Sequence, residues 1–173
     1  KDGVVDENDR RMVGNSYPRM NLGMSMDFSY KGFALNLLGV SSLGVNSWLT
    51  NNYFWNFGER KWSDQALNRF HPINNPEGTY PRLTTTQGSN NFENSTFWLA
   101  NTSFFRLKNA ELSYTFGYNK PISTRLKTIK VFTRGMNILT ISKIKELDPE
   151  VLGAGVNNYP LFSTYTVGVS VMF

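Results

Sequence analysis

The strongest constraint on this chain is an alternation of apolar and polar residues that runs much longer than an ordinary strand. From Met20 to Tyr30 ("MNLGMSMDFSY") every even position is apolar: Met20, Leu22, Met24, Met26, Phe28 and Tyr30. Asn21, Gly23, Ser25, Asp27 and Ser29 occupy the odd positions. A period of two marks a strand with one apolar face. The pattern returns in Phe33–Ser42 (Phe33, Leu35, Leu37), in Ser103–Tyr118, in Thr128–Thr140 and in Ser163–Phe173. In Ser103–Tyr118, Ala110, Leu112, Tyr114, Phe116 and Tyr118 stand opposite Asn109, Glu111, Ser113 and Thr115. The last segment carries Tyr165, Val167, Val169, Val171 and Phe173 on one face up to the final residue. Eleven residues at about 3.3 Å each, tilted by about 45°, span roughly 25 Å, the height of the apolar band on a membrane barrel. Soluble strands average about 5–6 residues. The expectation is an all-β chain: an antiparallel transmembrane β-barrel segment of about five long strands with long loops between some of them.

Composition agrees once the alternation is taken into account. Only 40% of residues are hydrophobic and the mean hydropathy is −0.36, but barrel strands dilute their apolar face with polar interior residues. Aromatics reach 14%, which suits strands and interfacial belts. There is no cysteine, so disulfides and thiolate chemistry are excluded, and no apolar run approaches the ~20 residues of a membrane helix. The net charge of +5 is spread along the chain without a basic block, and no nucleic-acid partner is expected. Lys31-Gly32 and 119–127 read as short turns, whereas 1–19, 43–102 and 141–162 read as loops. With a periplasmic C-terminus, both short turns fall on the periplasmic side and the long loops outside, the asymmetry of outer-membrane barrels.

Motifs for catalysis are missing. The chain has no P-loop, dinucleotide fingerprint or nucleophile elbow, and Asp148 and Glu150 flank a proline that argues for a turn. His71 precedes Pro72 with no second histidine nearby and reads as loop surface. Asp2, Asp6 and Asp9 lie close together but lack the register of a calcium loop, which leaves a weak calcium candidate and otherwise no cofactor. On the polar strand faces, Asn109, Glu111, Lys130 and Arg134 are candidates to line a lumen, meeting water or a passing substrate. The segment 43–102 holds all four tryptophans; Trp48, Trp55 and Trp62 are candidates for ligand or partner contact, with packing inside the loop at least as favoured.

Several blocks resemble one family in its order. "FFRLKNAELSYTF" (Phe104–Phe116), "IKVFTRGMNILT" (Ile129–Thr140), "LDPEV" (Leu147–Val151) and the closing "YPLFSTYTVGVSVMF" are similar to the C-terminal strands of SusC/RagA-type TonB-dependent outer-membrane transporters, as is the opening "KDGVVDENDRRMVGNSYP". The resemblance implies the C-terminal part of a barrel of about 22 strands. The plug domain and TonB box would lie outside this chain, in a missing part wholly upstream. It further implies import of oligosaccharides or peptides, a SusD-like lipoprotein lid, and energy delivered through the TonB complex. It places the protein in the outer membrane of a Bacteroidetes-type Gram-negative cell. Tyr165, Val167, Val169, Val171 and Phe173 then form the signal read by the barrel-assembly machinery, with Tyr165, Val167, Val169 and Val171 facing lipid and Phe173 at the periplasmic rim. No enzyme is expected. The alternative is a surface binding or adhesion β-protein that performs no active transport.

Overall fold

The computed structural model describes residues 7–59, 61–85 and 90–173. Seven strands form in chain order: β1 (Met20–Tyr30), β2 (Phe33–Leu43), β3 (Asn46–Trp48), β4 (Leu99–Asn101), β5 (Phe104–Phe116), β6 (Thr128–Ser142) and β7 (Thr164–Met172). The five long ones make an antiparallel sheet in the order β1-β2-β5-β6-β7, and β3 pairs with β4 in a separate ribbon. Among the described residues no helix is long and apolar enough to cross a membrane, and the helical turns are short 3₁₀ segments.

Register follows from the alternation. Phe28, Leu35, Leu112, Thr133 and Val167 lie in one rung across all five strands, and Tyr30, Phe33, Tyr114, Val131 and Val169 lie in the next rung on that face. Among the described residues no layer covers the apolar face: Val167 is 78% exposed, and Leu22, Phe28 and Tyr165 are exposed too. Aromatics gather at its short-turn end, where the Phe33 and Tyr114 rings lie 4.5 Å apart and those of Tyr114 and Phe116 4.7 Å apart. The tight β1–β2 turn places Lys31 and Gly32 at φ 45° and 87°, the left-handed pair that matches strand twist in a two-residue hairpin.

The connections are unequal. Lys31-Gly32 and residues 117–127 close one end of the sheet; residues 44–103 and 143–163 leave from the other. The longer connection has a structure of its own. The β3–β4 ribbon forms a stem, and above it Phe54, Phe57, Tyr80, Phe92 and Trp98 pack into a buried cluster. Leu152, from the other long connection, inserts into the same cluster, with Ile144 and Leu147 against its margin. This loop head holds nearly all the buried hydrophobic side chains among the described residues.

Asn56 and Tyr80 form a paired polar centre inside the head, whereas the buried Trp55 Nε1 has no hydrogen-bond partner among the described residues. Asn56 is 1% exposed and donates from Nδ2 to Ser63 Oγ (3.0 Å) and Tyr80 Oη (3.1 Å), while its Oδ1 accepts the Ser63 N–H (2.8 Å). The Tyr80 hydroxyl donates to the Phe54 carbonyl at 2.7 Å. A buried amide with every group paired fixes one arrangement of the surrounding chain, because any other would strand a polar atom.

Candidate functional site

The polar face of the sheet concentrates charge. Because register puts Asp27, Asn36, Glu111, Arg134 and Thr166 in one rung, their side chains meet across the strands. Asn36 donates from Nδ2 to Asp27. Glu111 is buried because two cations cover it: Lys130 donates to Oε1 at 2.8 Å, and Arg134 donates to Oε2 from Nε at 2.8 Å and from Nη2 at 2.5 Å. Lys130, Phe132 and Arg134 alternate along β6, so both cations flank the Phe132 ring, 5.7 and 5.6 Å from its centroid. That ring lies over Gly168, where a Cβ would run into it. The candidates Glu111, Lys130 and Arg134 are thus one cluster, and Asn109 lies on the same face opposite Met136.

A second cluster lies nearer the loop head. Arg106 is 2% exposed and donates to Asp148 Oδ1 (2.6 Å), Glu150 Oε2 (2.7 Å) and Thr140 Oγ1 (3.1 Å). The Asp-Pro-Glu turn, read from sequence only as a turn, is a two-carboxylate clamp on a buried guanidinium. Planar Arg suits this task because its fork donates to two carboxylates at once. Sequence reasoning missed Arg106 because a regular alternation puts it on the apolar face. A β-bulge at Lys108, where β5 slips register against both β2 and β6, reverses the parity and turns Arg106 to the polar side. The signal was present: apolar positions run Phe105, Leu107 and then Ala110, Leu112, an odd-to-even slip that only a bulge can absorb.

The tryptophan candidates separate. Trp55 packs edge-on against Phe92 and Trp98 at centroid distances of 6.0 and 6.1 Å, as part of the head's interior. Trp48 and Trp62 are exposed, and Trp62 Nε1 donates to the Gly58 carbonyl at 3.3 Å. Trp98, the tryptophan not singled out, is the buried one, with Nε1 donating to the Asn91 carbonyl at 2.9 Å. Beside this cluster, burial first and then the hydrogen bond to Asp64 push the Tyr53 phenol up to about 12. Burial also raises Tyr80, partly offset by the Asn56 hydrogen bonds.

Asp2 and Asp6 lie outside the described residues. Asp9 closes a 3₁₀ turn, Glu7–Asp9, and Glu7 pairs with Arg10 at 2.7 Å. Among the described residues no group of three or more His, Asp or Glu side chains is placed to hold a metal ion. His71 accepts the backbone N–H groups of Ile73 and Asn74 at Nδ1 (3.2 and 3.0 Å), which occupies that nitrogen in a local turn. At the end of the chain Tyr165, Val167, Val169 and Val171 share the exposed apolar face of β7, and Phe173 follows that strand, also exposed.

No family model matches the chain. It is 26% identical to the TonB-dependent receptor P3 of Formosa agariphila over 99% of its own length and 18% of the relative's. To the TonB-dependent receptor SusC of Bacteroides thetaiotaomicron it is likewise 26% identical, over 99% of this chain and 17% of that protein. Among solved structures, the RagAB peptide importer in its open-open state superimposes with a TM-score of 0.69 at 26% identity, covering 94% of this chain and 18% of that one. The closed-closed state gives 0.70 at 26% identity over 98% and 20%. The chain is SusC/RagA-like along its whole length, and its fold is an antiparallel all-β barrel segment of the RagAB type. It spans about a fifth of the length of the relatives it matches.

Proposed function

We propose that this segment closes the wall of a SusC/RagA-like outer-membrane transporter that imports oligosaccharides or peptides. The observation that carries the reading is the two-sidedness of the sheet. Five long strands expose an uncovered apolar face, suited to lipid, and keep their ion pairs on the opposite face, suited to a wet lumen. In this reading Val167, Val169 and Val171 face acyl chains, the aromatic group at Tyr30, Phe33 and Tyr114 sits at the periplasmic interface, and the C-terminus is periplasmic. The terminal β7 pattern, ending at Phe173, serves as the barrel-assembly signal.

The loop head then stands on the extracellular side. It offers Trp48 and Trp62 to a SusD-like lipoprotein lid or to the ligand. Energy arrives from TonB through parts of the receptor beyond these residues, including a plug that meets Glu111, Lys130 and Arg134. The proposal assigns no covalent chemistry to this segment. Calcium at Asp2, Asp6 and Asp9 stays a minor part of it, tested by titrating the purified receptor with calcium and following Tyr17 fluorescence and melting.

The test is made in the organism that carries the gene. Deleting the full-length gene should abolish uptake of one class of oligomeric nutrient, and disabling TonB should abolish the same uptake while the receptor remains in the outer membrane. Surface binding that persists with uptake unchanged in both strains would overturn transport and favour an adhesion module.

A further inference from the structure

We infer that Lys108 is the carboxylate-binding position of a ligand subsite on the polar face, directly below the loop head. The inference rests on the transport reading, because a ligand reaches this face only where it lines a lumen. The bulge that turns Arg106 inward also brings Lys108 to this side. Two clefts, of about 600 and 420 Å³, lie on either side of it, and Lys108 and Glu150 line both. Each is within the range of small-ligand sites, about 300–1,000 Å³.

The charge arrangement singles out this lysine. The five long strands carry four cations: Arg106, Lys108, Lys130 and Arg134. Arg106 is held by Asp148 and Glu150, and Lys130 and Arg134 share Glu111. Lys108 is half-buried and, among the described residues, has neither an ion-pair nor a hydrogen-bond partner. An ammonium in a cleft loses part of its hydration, and an incoming carboxylate restores what was lost. Asn109, Asn137 and Asn158 line the smaller cleft with it and supply amide donors and acceptors for the uncharged part of the ligand. Arg106 cannot take this role without releasing the two carboxylates that hold the 143–163 connection.

A carboxylate could come from a peptide C-terminus or from a uronic-acid sugar, and the two sources are separable. The experiment uses the full-length receptor in detergent and measures the acylation rate of Lys108 by an amine-reactive ester, read by mass spectrometry. Four probes are compared: an oligopeptide acid, its C-terminal amide, an oligogalacturonate and its methyl ester. The expected result is that one acid slows labelling severalfold and its neutral counterpart does not. Calorimetric binding of the same four probes should show an acid-over-neutral affinity ratio of about tenfold or more, which Lys108→Met erases and Lys108→Arg keeps. Equal protection by acid and neutral forms, or protection by none, overturns the inference. So does a ligand-free receptor whose Lys108 is already unreactive because a carboxylate elsewhere in the chain holds it. Nutrient uptake that survives deletion of the gene, with charge-selective protection intact, would sink the transport reading alone.

Discussion

The sheet and the loop head meet the same problem, the covering of apolar surface, in opposite ways. The sheet keeps its apolar side chains on the outside and depends on its surroundings to cover them; Val167 and Tyr165 are 78% and 74% exposed. The head turns its aromatics inward, so that Phe92 and Trp98 are each 3% exposed within one chain segment. The two regions should therefore answer differently to the same kind of mutation. Substitutions in the head act through packing density and are felt wherever the protein is placed. Substitutions on the sheet act through the solvent it faces.

The largest effect should come from Trp98→Ala, which removes the ring at the centre of the head. A cost of about 3–5 kcal/mol is expected. Limited proteolysis of the full-length receptor should then cut within 44–103 and 143–163 while the heat-modifiable gel mobility of the barrel stays normal. Loss of that mobility would show that head and sheet do not fold separately. Next, Val167→Arg should cost about 2–4 kcal/mol in a bilayer if its position is near the midplane. Folding yields into lipid vesicles measure this, and a neutral result would mean that the face meets water. Arg106→Met leaves Asp148 and Glu150 without their cation; because both acids reach solvent, a smaller loss of about 1–3 kcal/mol is expected. It should appear as faster proteolysis of 143–163 before that of 44–103. Lys31→Asn should raise the melting temperature slightly, by about 0.5–1 kcal/mol of stability, since Asn tolerates the left-handed turn conformation better.

pH separates the two regions as well. The Tyr53 phenol is held up to about 12 in the folded head, so the unfolded chain, with its ordinary value near 10, ionises first. Its contribution is complete below pH 10 and is lost as pH rises from 10 towards 12. Tyr53→Phe should reduce the rise in protease sensitivity of the head across that window, leaving the part due to Tyr80, with the sheet unchanged.

The same contrast explains what could be read in advance. A strand with one wetted and one greasy face writes its geometry into neighbouring positions, so β1 and β7 were visible as alternation, and Glu111, Lys130 and Arg134 shared a predicted face before their contacts were known. The head's core leaves no such trace. Its members, such as Phe54, Tyr80, Trp98 and Leu152, obey no period because they are set by a folded loop path, and Leu152 comes from a different connection altogether. The segment could only be read as polar and irregular, with packing inside the loop favoured at least as much as ligand contact for Trp55. Arg106 lies between these cases: its clamp was hidden, but the parity slip between Leu107 and Ala110 was legible to a reading that asked why a regular strand should change step.

Leu152 has a practical meaning for anyone exchanging loops between receptors of this type. Because it fills a hole in a cluster built by the other connection, the two loops form a matched pair. A graft of 44–103 alone would carry an open cavity in place of Leu152, and a graft of 143–163 alone would present a leucine with nowhere to go. A transplanted loop head should travel as both segments together, along with the arginine on β5 that anchors the second of them.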